Sequence, residues 1–216
     1  PEQVSYIINH AEDKILFADV LVMPLLEALK AHLGKVEAIV VMTESAHMPE
    51  STLPNVLCYE ELLAEQSDDF DWPEFDENTA SGMCYTSGTT GNPKGALYGH
   101  RSTMLHTFAA VSPDGLGISA RETVMPVVPM FHVNAWGLPY ACAMMGAKMV
   151  MPGRDLDGKS VYELLDGEQV SLTAAVPAVW LGLLNHLRSG DNNLEHLKRV
   201  VIGGSACPRA MMEAFQ

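Results

Sequence analysis

Hydroxyl side chains, glycines and a single lysine are concentrated between residues 86 and 95. This segment, Thr86-Ser87-Gly88-Thr89-Thr90-Gly91-Asn92-Pro93-Lys94-Gly95, directly follows a short β-type run. Glycines allow successive backbone N–H groups to converge on one point, and Ser and Thr hydroxyls add further donors. A lysine at the rim supplies positive charge. The combination therefore predicts a loop that binds a phosphate chain.

Other interpretations of this loop fit its residues less well. Counted from Gly88, a Walker A loop requires glycine at position 93 and Ser or Thr after the lysine, whereas this chain has Pro93 and Gly95. No G-x-G-x-x-G dinucleotide pattern occurs in it. A flexible polar linker is disfavoured, because linkers seldom place a lone lysine after proline beside an apolar strand.

The elements that must position the loop alternate between helix and strand. Apolar residues at helical spacing predict helices over 4–10, 20–33, 101–110, 134–145, 160–165 and 177–187. Short β-type runs predict strands over 14–17, 36–42, 83–86, 122–127, 148–151, 171–175 and 199–202. Such alternation with mainly apolar strands predicts an α/β fold, in which largely parallel sheets are flanked by helices.

The composition is that of a globular protein, with 216 residues of which 48% are hydrophobic and 19% charged. This length suits one large domain or two small ones. The net charge of −14 argues against binding to nucleic acid or to anionic membranes. Much of the excess lies between Lys35 and Lys94, where twelve acidic residues and no basic ones occur. We expect a solvated surface segment there rather than a metal site, because no EF-hand spacing is present.

The cysteines and the chain ends bear on location. Cys58, Cys84, Cys142 and Cys207 form no C-x-x-C motif, so we expect buried, reduced thiols in a cytoplasmic protein. No secretory signal begins the chain, and the longest nearly apolar run, 138–151, is too short for a membrane span and contains a lysine. A helix pattern opens the chain and another is unfinished at its end, which predicts a piece of a longer protein.

The loop at 86–95 resembles the signature loop of the AMP-forming adenylate synthetases, the superfamily of acyl-CoA synthetases, luciferases and peptide-synthetase adenylation domains. The resemblance implies that the loop wraps the β- and γ-phosphates of ATP and that pyrophosphate leaves from it. Seven contact residues follow from it: Thr86, Ser87, Gly88, Thr89, Thr90, Gly91 and Lys94. It also implies Mg²⁺ at Thr86. Residues 97–102 resemble the strand-to-helix turn of the family, with Gly99 in place of the common Ser or Thr, and we expect Gly99 to serve as N-cap.

Two further segments are similar to parts of this family. Residues 128–136, Val-Pro-Met-Phe-His-Val-Asn-Ala-Trp, resemble the gate segment of bacterial medium- and long-chain fatty acyl-CoA synthetases. The resemblance implies that Trp136 closes the acyl tunnel until ATP binds and that His132 lies at the reacting carboxylate as a catalytic residue. Taken without it, Trp136 would be a core aromatic residue and His132 a buried, hydrogen-bonded histidine. Tunnel-lining residues would include Ala135, Gly137, Met144 and Met145.

Residues 201–206, Val-Ile-Gly-Gly-Ser-Ala, resemble the strand and glycine turn that contact the adenosine and the acyl group in the family. The resemblance implies nucleotide contacts by Gly203, Gly204, Ser205 and Ala206. Paired glycines permit close backbone approach by a flat ring, whereas the alternative is a plain strand-to-helix turn. A serine hydrolase is disfavoured, because the string from Gly203 to Cys207 lacks the second glycine of G-x-S-x-G.

The resemblance covers essentially the whole chain. It implies that residues 1–216 are part of a large N-terminal, AMP-binding domain without the small C-terminal domain. The complete enzyme would be an acid–thiol ligase that uses ATP, Mg²⁺ and CoA, forms acyl-AMP from a fatty acid with release of pyrophosphate, and then forms acyl-CoA. We expect the 216 residues alone to be inactive, because the family's Tyr-Gly-x-Thr-Glu motif and adenylation lysine are not among them. Two alternatives stay open: a non-catalytic nucleotide- or phosphate-binding module, and a ligase for a short-chain or sulfur-bearing acid. Related synthetases also suggest a homodimer.

Overall fold

The computed structural model describes residues 1–86, 91–190 and 192–215. Its parallel sheets, with helices between successive strands, confirm the predicted α/β class. The chain divides into two compact units, the first made of residues 1–75 and 85–96 and the second of residues 76–84 together with the chain from residue 97 onward. The assignment of the whole chain to one partial domain stays a prediction.

The first unit contains a three-stranded parallel sheet in the order β1-β2-β3. Its elements are α1 (Glu2–Ala11), β1 (Ile15–Ala18), α2 (Met23–Ala28), β2 (Ala38–Val41), β3 (Val56–Cys58) and α3 (Tyr59–Ala64). The central strand β2 is buried at all four positions, which explains why it reads as a continuous apolar run. Ile39 and Val41 pack there with Leu26 of α2.

One prediction for this unit is wrong in detail. The helix predicted over 20–33 is three short pieces, because residues Val20–Val22 and Lys30–His32 form 3₁₀ turns on either side of α2. Pro24 lies at the start of α2, and Leu29 leaves helical geometry with φ −95° and ψ 2°. The acidic surface segment is partly regular, since α3 lies within it, but residues 67–77 are irregular and exposed.

Strands β4 (Ala80–Thr86) and β5 (Lys94–Gly99) pair with each other and flank the predicted phosphate loop. The sequence patterns predict only the last part of β4 and do not predict β5. Glycines at 82, 95 and 99 weaken the β signal of both strands, because glycine is depleted in strands. Loop residues Ser87, Gly88, Thr89 and Thr90 lie outside the described residues.

The second unit is built on a four-stranded parallel sheet in the order β7-β6-β8-β9. Its elements are α4 (His100–Val111), β6 (Thr123–Pro126), α5 (Val133–Trp136), α6 (Leu138–Met145), β7 (Lys148–Met149), α7 (Gly158–Gly167), β8 (Leu172–Ala175), α8 (Pro177–Arg188), β9 (Arg199–Ile202) and α9 (Arg209–Ala214). Successive residues of β6 face opposite ways. Val124 packs with Leu138 of α6, whereas Met125 lies in the cluster of Trp180 and Val161 on α8 and α7. Helices therefore cover both faces of this sheet.

Gly99 is the N-cap of α4, as predicted. Its backbone is extended, with φ −91° and ψ 160°, and no side chain is available to cap the helix. Ser102 compensates, since the Gly99 N–H donates to its Oγ at 3.1 Å and its hydroxyl donates to the Gly99 carbonyl at 2.9 Å. Within the three described ranges, no helix combines the length and the apolar character needed to cross a bilayer.

Candidate nucleotide and acyl site

The described ends of the predicted phosphate loop are joined to each other. The Thr86 hydroxyl donates to the Lys94 carbonyl at 3.3 Å, across the base of the loop. Gly91 has φ +88°, a conformation that L side chains rarely adopt, and a Cβ there would have no heavy atom of the described residues within 4 Å. Pro93 is buried and anchors the exit of the loop, whereas Thr86 and Lys94 are exposed. The hydroxyl oxygen and the ammonium group are thus both presented to solvent.

The strand that enters the loop is held by a contact that the sequence patterns did not predict. Tyr85 directly precedes Thr86, and its hydroxyl lies 2.6 Å from Nδ1 of His10 on α1. The two rings meet edge to face, and Tyr6 stacks on the other side of the histidine. Burial raises the pKa of Tyr85, with smaller contributions from Tyr6 and Asp13. Helix α1 therefore contacts the last part of β4, immediately before the loop begins.

The gate segment is not the start of a right-handed helix, which corrects the helix predicted over 134–145. Residues Val133–Trp136 have φ between 50° and 56°, and Gly137 has φ 76°, so this stretch is a turn of left-handed helix. The right-handed helix α6 begins only at Leu138, with Pro139 in its first turn. L-residues avoid left-handed helix because Cβ approaches the following carbonyl, at a cost of roughly 1–2 kcal/mol per residue. Surrounding contacts must therefore maintain this turn.

Those contacts come from the core and from β4. Ala135 is fully buried in the cluster that includes Leu138 and Ala141 of α6. Asn134 accepts a hydrogen bond from Sγ of Cys84, with 3.3 Å between Oδ1 and the sulfur. The Gly137 N–H donates to the Asn134 carbonyl at 3.0 Å. The turn is consequently held by two kinds of contact. Ala135 packs in the core, and Asn134 accepts a hydrogen bond from buried Cys84 of β4.

The turn places Trp136 on the glycine pair after β9. A Cβ built on Gly203 would lie 2.7 Å from Cη2 of Trp136, so the indole rests directly on the glycine backbone. Gly204 has φ +78°, and a Cβ there would lie 3.0 Å from Cγ1 of Val176. Ser205 and Ala206 follow and are exposed. Two segments that the sequence singled out separately, the gate and the glycine turn, thus meet at the carboxyl ends of the strands, where α/β sheets bind ligands.

His132 lies immediately before the left-handed turn and is exposed. The backbone N–H of His132 donates to the Pro129 carbonyl at 3.1 Å, and the backbone carbonyl of His132 accepts from the Ala135 N–H at 3.2 Å. The interpretation of His132 as a buried histidine is therefore wrong. Its predicted catalytic role stays a prediction.

A cavity of about 240 Å³ lies between α4 and the gate segment, and sequence reasoning missed most of it. Its surface is mostly apolar, and its lining residues are Tyr98, Ser102, Thr103, His106, Val133, Asn134, Gly137 and Tyr140. The signal that could have revealed it is the i, i+4 spacing of Ser102 and His106 along α4, which begins just after Tyr98 of β5. The imidazole of His106 covers Gly137, because a Cβ there would lie 2.7 Å from Nδ1 and Cε1.

Only one residue of the predicted tunnel lies in the wall of this cavity. Gly137 does so, whereas Ala135 belongs to the buried core and Met145 packs against that core. Met144 is half-buried and is not in the lining. The tunnel-lining role of Ala135, Gly137, Met144 and Met145 stays a prediction. Helix α4 supplies Ser102, Thr103 and His106 to the wall of this cavity.

Comparisons with known proteins bear on the family to which this chain is similar. A family model described as AMP-binding enzyme matches residues 1–216. Over 216 residues the chain is 52% identical to a 3-methylmercaptopropionyl-CoA ligase of Ruegeria pomeroyi, covering 100% of this chain and 40% of that protein. It is 50% identical over 214 residues to a medium-chain-fatty-acid–CoA ligase of Ectopseudomonas oleovorans, with coverage of 99% and 39%. It is also 50% identical over 216 residues to a long-chain-fatty-acid–CoA ligase of Thermus thermophilus, with coverage of 100% and 38%.

Solved structures show the same fold. A crystal structure of an anthranilate CoA ligase in complex with anthranoyl-AMP superposes with a TM-score of 0.86 at 21% sequence identity, covering 100% of this chain and 40% of that one. The chain spans about two fifths of the length of the curated relatives that it matches. The resemblance to adenylate-forming enzymes inferred from the loop, the gate and the glycine turn is thereby confirmed.

Proposed function

We propose, since the chain belongs to the family of AMP-binding enzymes, that the complete protein is an AMP-forming acid–thiol ligase. In the proposed reaction a carboxylate oxygen attacks the α-phosphorus of ATP, which forms acyl-AMP and breaks the bond to pyrophosphate. The thiol of CoA then attacks the acyl carbon, which forms the thioester and expels AMP. The activity is proposed for the whole protein, of which these residues are one part.

The observation that carries the proposal is the packing of Trp136 on Gly203 beside the apolar cavity. An adenylating enzyme must hold a flat nucleotide and an acyl chain at adjoining places, because the two react with each other. Gly203 and Gly204 present backbone without side chains, as a nucleotide surface requires. We infer that Gly203, Gly204, Ser205 and Ala206 contact the nucleotide and that Trp136 separates it from the acyl cavity.

The first step brings two anions together, so neutralisation of charge is its main requirement. Lys94 supplies a positive charge next to the loop of Thr86, Ser87, Gly88, Thr89, Thr90 and Gly91, which we propose holds the β- and γ-phosphates. The Thr86 hydroxyl donates its proton to a carbonyl, which leaves the lone pairs of its oxygen for a cation. Mg²⁺ takes oxygen ligands and keeps water and phosphate among them, so a single protein hydroxyl fits. When bound, Mg²⁺ would neutralise phosphate charge, and His132 would face the carboxylate.

The cavity favours an acyl group of moderate length. Its volume of about 240 Å³ has room for about eight groups the size of a water molecule, which is close to the size of a methylene. We propose medium- or long-chain fatty acids as the first class of substrate, and this volume supports the medium-chain members of that class. The relative from Ruegeria pomeroyi, which is named for a sulfur-bearing acid, supports short or sulfur-bearing acids as the second class.

The test uses the complete protein with ATP, Mg²⁺ and CoA. AMP and pyrophosphate are measured with octanoate, palmitate or 3-methylmercaptopropionate as the acid. We expect AMP formation that requires both ATP and an acid, with the highest kcat/KM for octanoate. ATP binding in calorimetry without AMP formation from any of these acids would instead support a non-catalytic nucleotide-binding module.

The 216-residue chain by itself is expected to release no pyrophosphate with octanoate or palmitate. The physical reason is that the Mg²⁺-binding glutamate of the Tyr-Gly-x-Thr-Glu motif and the adenylation lysine of the family are not among these residues. A coupled pyrophosphate assay on this chain and on the complete protein, at equal concentrations, measures the difference. Robust turnover by the short chain would contradict the assignment of those roles to other segments.

We also propose a cytoplasmic protein that forms a homodimer. The thiols of Cys58, Cys84 and Cys142 are free and buried, as suits a reducing compartment. Light scattering of the complete protein after size-exclusion chromatography gives the oligomeric state, and a monomeric mass at micromolar concentration would contradict the dimer.

A further inference from the structure

A hydrogen bond between Cys84 and Asn134 supports the left-handed turn at Val133–Trp136, in addition to the packing of that turn against the core. Sγ of Cys84 donates to Oδ1 of Asn134 over 3.3 Å. Cys84 is buried, with 7% of its surface exposed, so the side chain has little choice of other geometry. A buried thiol is a weak donor, and its removal would leave the Asn134 amide oxygen without this partner beside a mostly apolar cavity.

Asn134 lies within the left-handed turn itself, with left-handed residues on both sides of it. It has φ 52° and ψ 45°, and the residues on either side of it have the same left-handed geometry. Asparagine tolerates this geometry better than valine, alanine or tryptophan do. Its neighbours therefore depend on contacts made by Asn134 and by the buried Ala135. One of these contacts is the core packing, and the other is the bond to Cys84.

The turn positions groups on both sides of the acyl site. Val133, Asn134 and Gly137 line the cavity, and Trp136 lies on Gly203. If the turn relaxed towards right-handed geometry, the indole would leave the glycine and the cavity wall would move at the same time. The contacts of Asn134 and Ala135 in this turn therefore bear on both the position of Trp136 and the shape of the cavity wall.

We propose that Cys84 and Asn134 are positioning residues for acyl-chain selection, because their hydrogen bond holds the left-handed turn that places Trp136 on Gly203 and shapes the cavity wall. The role in acyl selection rests on the proposed function, whereas the effect on Trp136 does not. Neither residue need touch the reacting atoms. Cys84 also lies two positions before Thr86 on the same strand, so the turn is anchored on the strand that enters the phosphate loop.

The first experiment follows Trp136 directly in the complete protein. Tryptophan is replaced by 5-fluorotryptophan, and the ¹⁹F resonance of Trp136 is assigned with Trp136→Phe. We expect Cys84→Ala and Asn134→Ala to shift or broaden this resonance, and Cys84→Ser, which keeps a donor, to leave it near the parental position. Cys58→Ala is the matched control, because Cys58 is also buried and donates to a carbonyl, that of Thr43 at 3.1 Å, away from the turn.

The second experiment measures chain-length selection. The ratio of kcat/KM for palmitate to that for octanoate is expected to change about three- to tenfold in Cys84→Ala, in keeping with the loss of one buried hydrogen bond. Cys84→Ser should restore the parental ratio, and Cys58→Ala should leave it unaltered. If the role of Cys84 is only structural, Cys84→Ala and Cys58→Ala should both lower the melting temperature, and neither should change this ratio.

The two experiments separate this inference from the proposed function. A Trp136 resonance that is unchanged in both Cys84→Ala and Asn134→Ala overturns the inference, whether or not the protein is active. If the resonance moves but no acid is activated by the unmodified protein, the proposed function fails and the support of the turn stands. If the protein is active and the resonance moves with no change in the palmitate-to-octanoate ratio, the role in acyl selection is overturned.

Discussion

Lys94 follows the buried Pro93, and its ammonium group makes no ion pair or hydrogen bond with residues 1–86, 91–190 or 192–215. Five of the remaining lysines illustrate the contrast, since each has a polar partner: Lys14, Lys30, Lys35, Lys148 and Lys159. A cation held at a loop end without such a partner is available to an anionic ligand.

Replacement of Lys94 by alanine should weaken the binding of ATP. Loss of a hydrogen bond to a charged group is worth about 1.5–3 kcal/mol, which corresponds to a rise of roughly 10- to 100-fold in the KM for ATP. Initial rates of AMP formation by the complete protein measure this. Lys35→Ala, which removes an exposed lysine paired with Glu12, is the control and should leave KM unaltered. An unchanged KM in Lys94→Ala would count against the phosphate role.

A methyl group added at Gly203 should displace Trp136. In Gly203→Ala the new Cβ would lie 2.7 Å from the indole, and overpacking of this kind costs about 1–3 kcal/mol. We expect a lower free energy of unfolding for this variant and a much smaller effect of the same change in the Trp136→Ala background. Gly153→Ala is the control, because no heavy atom in the described part of the chain lies within 4 Å of a Cβ there. Equal costs in both backgrounds would argue against the contact.

At the scale of elements, the left-handed turn is where local preference and tertiary structure conflict. The segment from 134 to 145 has apolar residues at helical spacing, yet residues 133–136 have the opposite hand. Gly137, with φ 76°, lies at the junction between the two hands. Buried Ala135 and the bond from Cys84 maintain the turn. Strain of this kind is typical of functional segments that depend on their surroundings.

Glycine at position 133 should stabilise the protein. Val133 is exposed and β-branched, and its φ of 51° is costly for any residue with a Cβ. Relief of this strain exceeds the entropy cost of glycine, so Val133→Gly should raise the free energy of unfolding by about 1 kcal/mol. Val22→Gly is the matched control, since Val22 is similarly exposed but has φ −89°, and it should destabilise. Thermal unfolding measures both, and destabilisation by Val133→Gly would contradict the strain.

At the scale of the whole molecule, one carboxylate in the first unit, that of Glu27, should make the free energy of unfolding depend on pH. Glu27 on α2 accepts hydrogen bonds from the Ser51 hydroxyl at 2.6 Å, the Thr52 hydroxyl at 2.7 Å and the Thr52 N–H at 2.7 Å. These bonds lower the pKa of Glu27 to about 2. They attach α2 to the segment that leads into β3.

The contribution of Glu27 to stability should disappear in acid. Its pKa in the folded protein lies below the unfolded value of about 4.3, so the contribution is complete above that pH and is lost as the pH falls towards 2. Glu27→Gln should flatten the fall of the unfolding free energy over this interval. Chemical denaturation at several pH values measures it, with the exposed Glu60→Gln as control. A parallel fall in Glu27→Gln and the parent protein would refute this.

The element order was largely predictable, and the failures have physical causes. The helix predicted over 20–33 broke because Pro24 and the turns beside it interrupt the helical hydrogen bonds, although the apolar spacing continues. Strand β5 was not predicted, because Gly95 and Gly99 do not favour β structure. The cavity wall was missed, since Tyr98 of β5 and Ser102 and His106 of α4 do not form an apolar pattern and become a wall only when α6 is placed opposite.

The sequence by itself determined the α/β class and the family, and it predicts the phosphate loop, because these depend on residue types at short spacing and on the alternation of local patterns. Only the tertiary structure decided the hand of the turn at 133–136, the packing of Trp136 on Gly203 and the bond between Cys84 and Asn134. These contacts join residues 50 or more positions apart. Their energies exceed the local preference for a right-handed helix only after the sheet has brought those segments together.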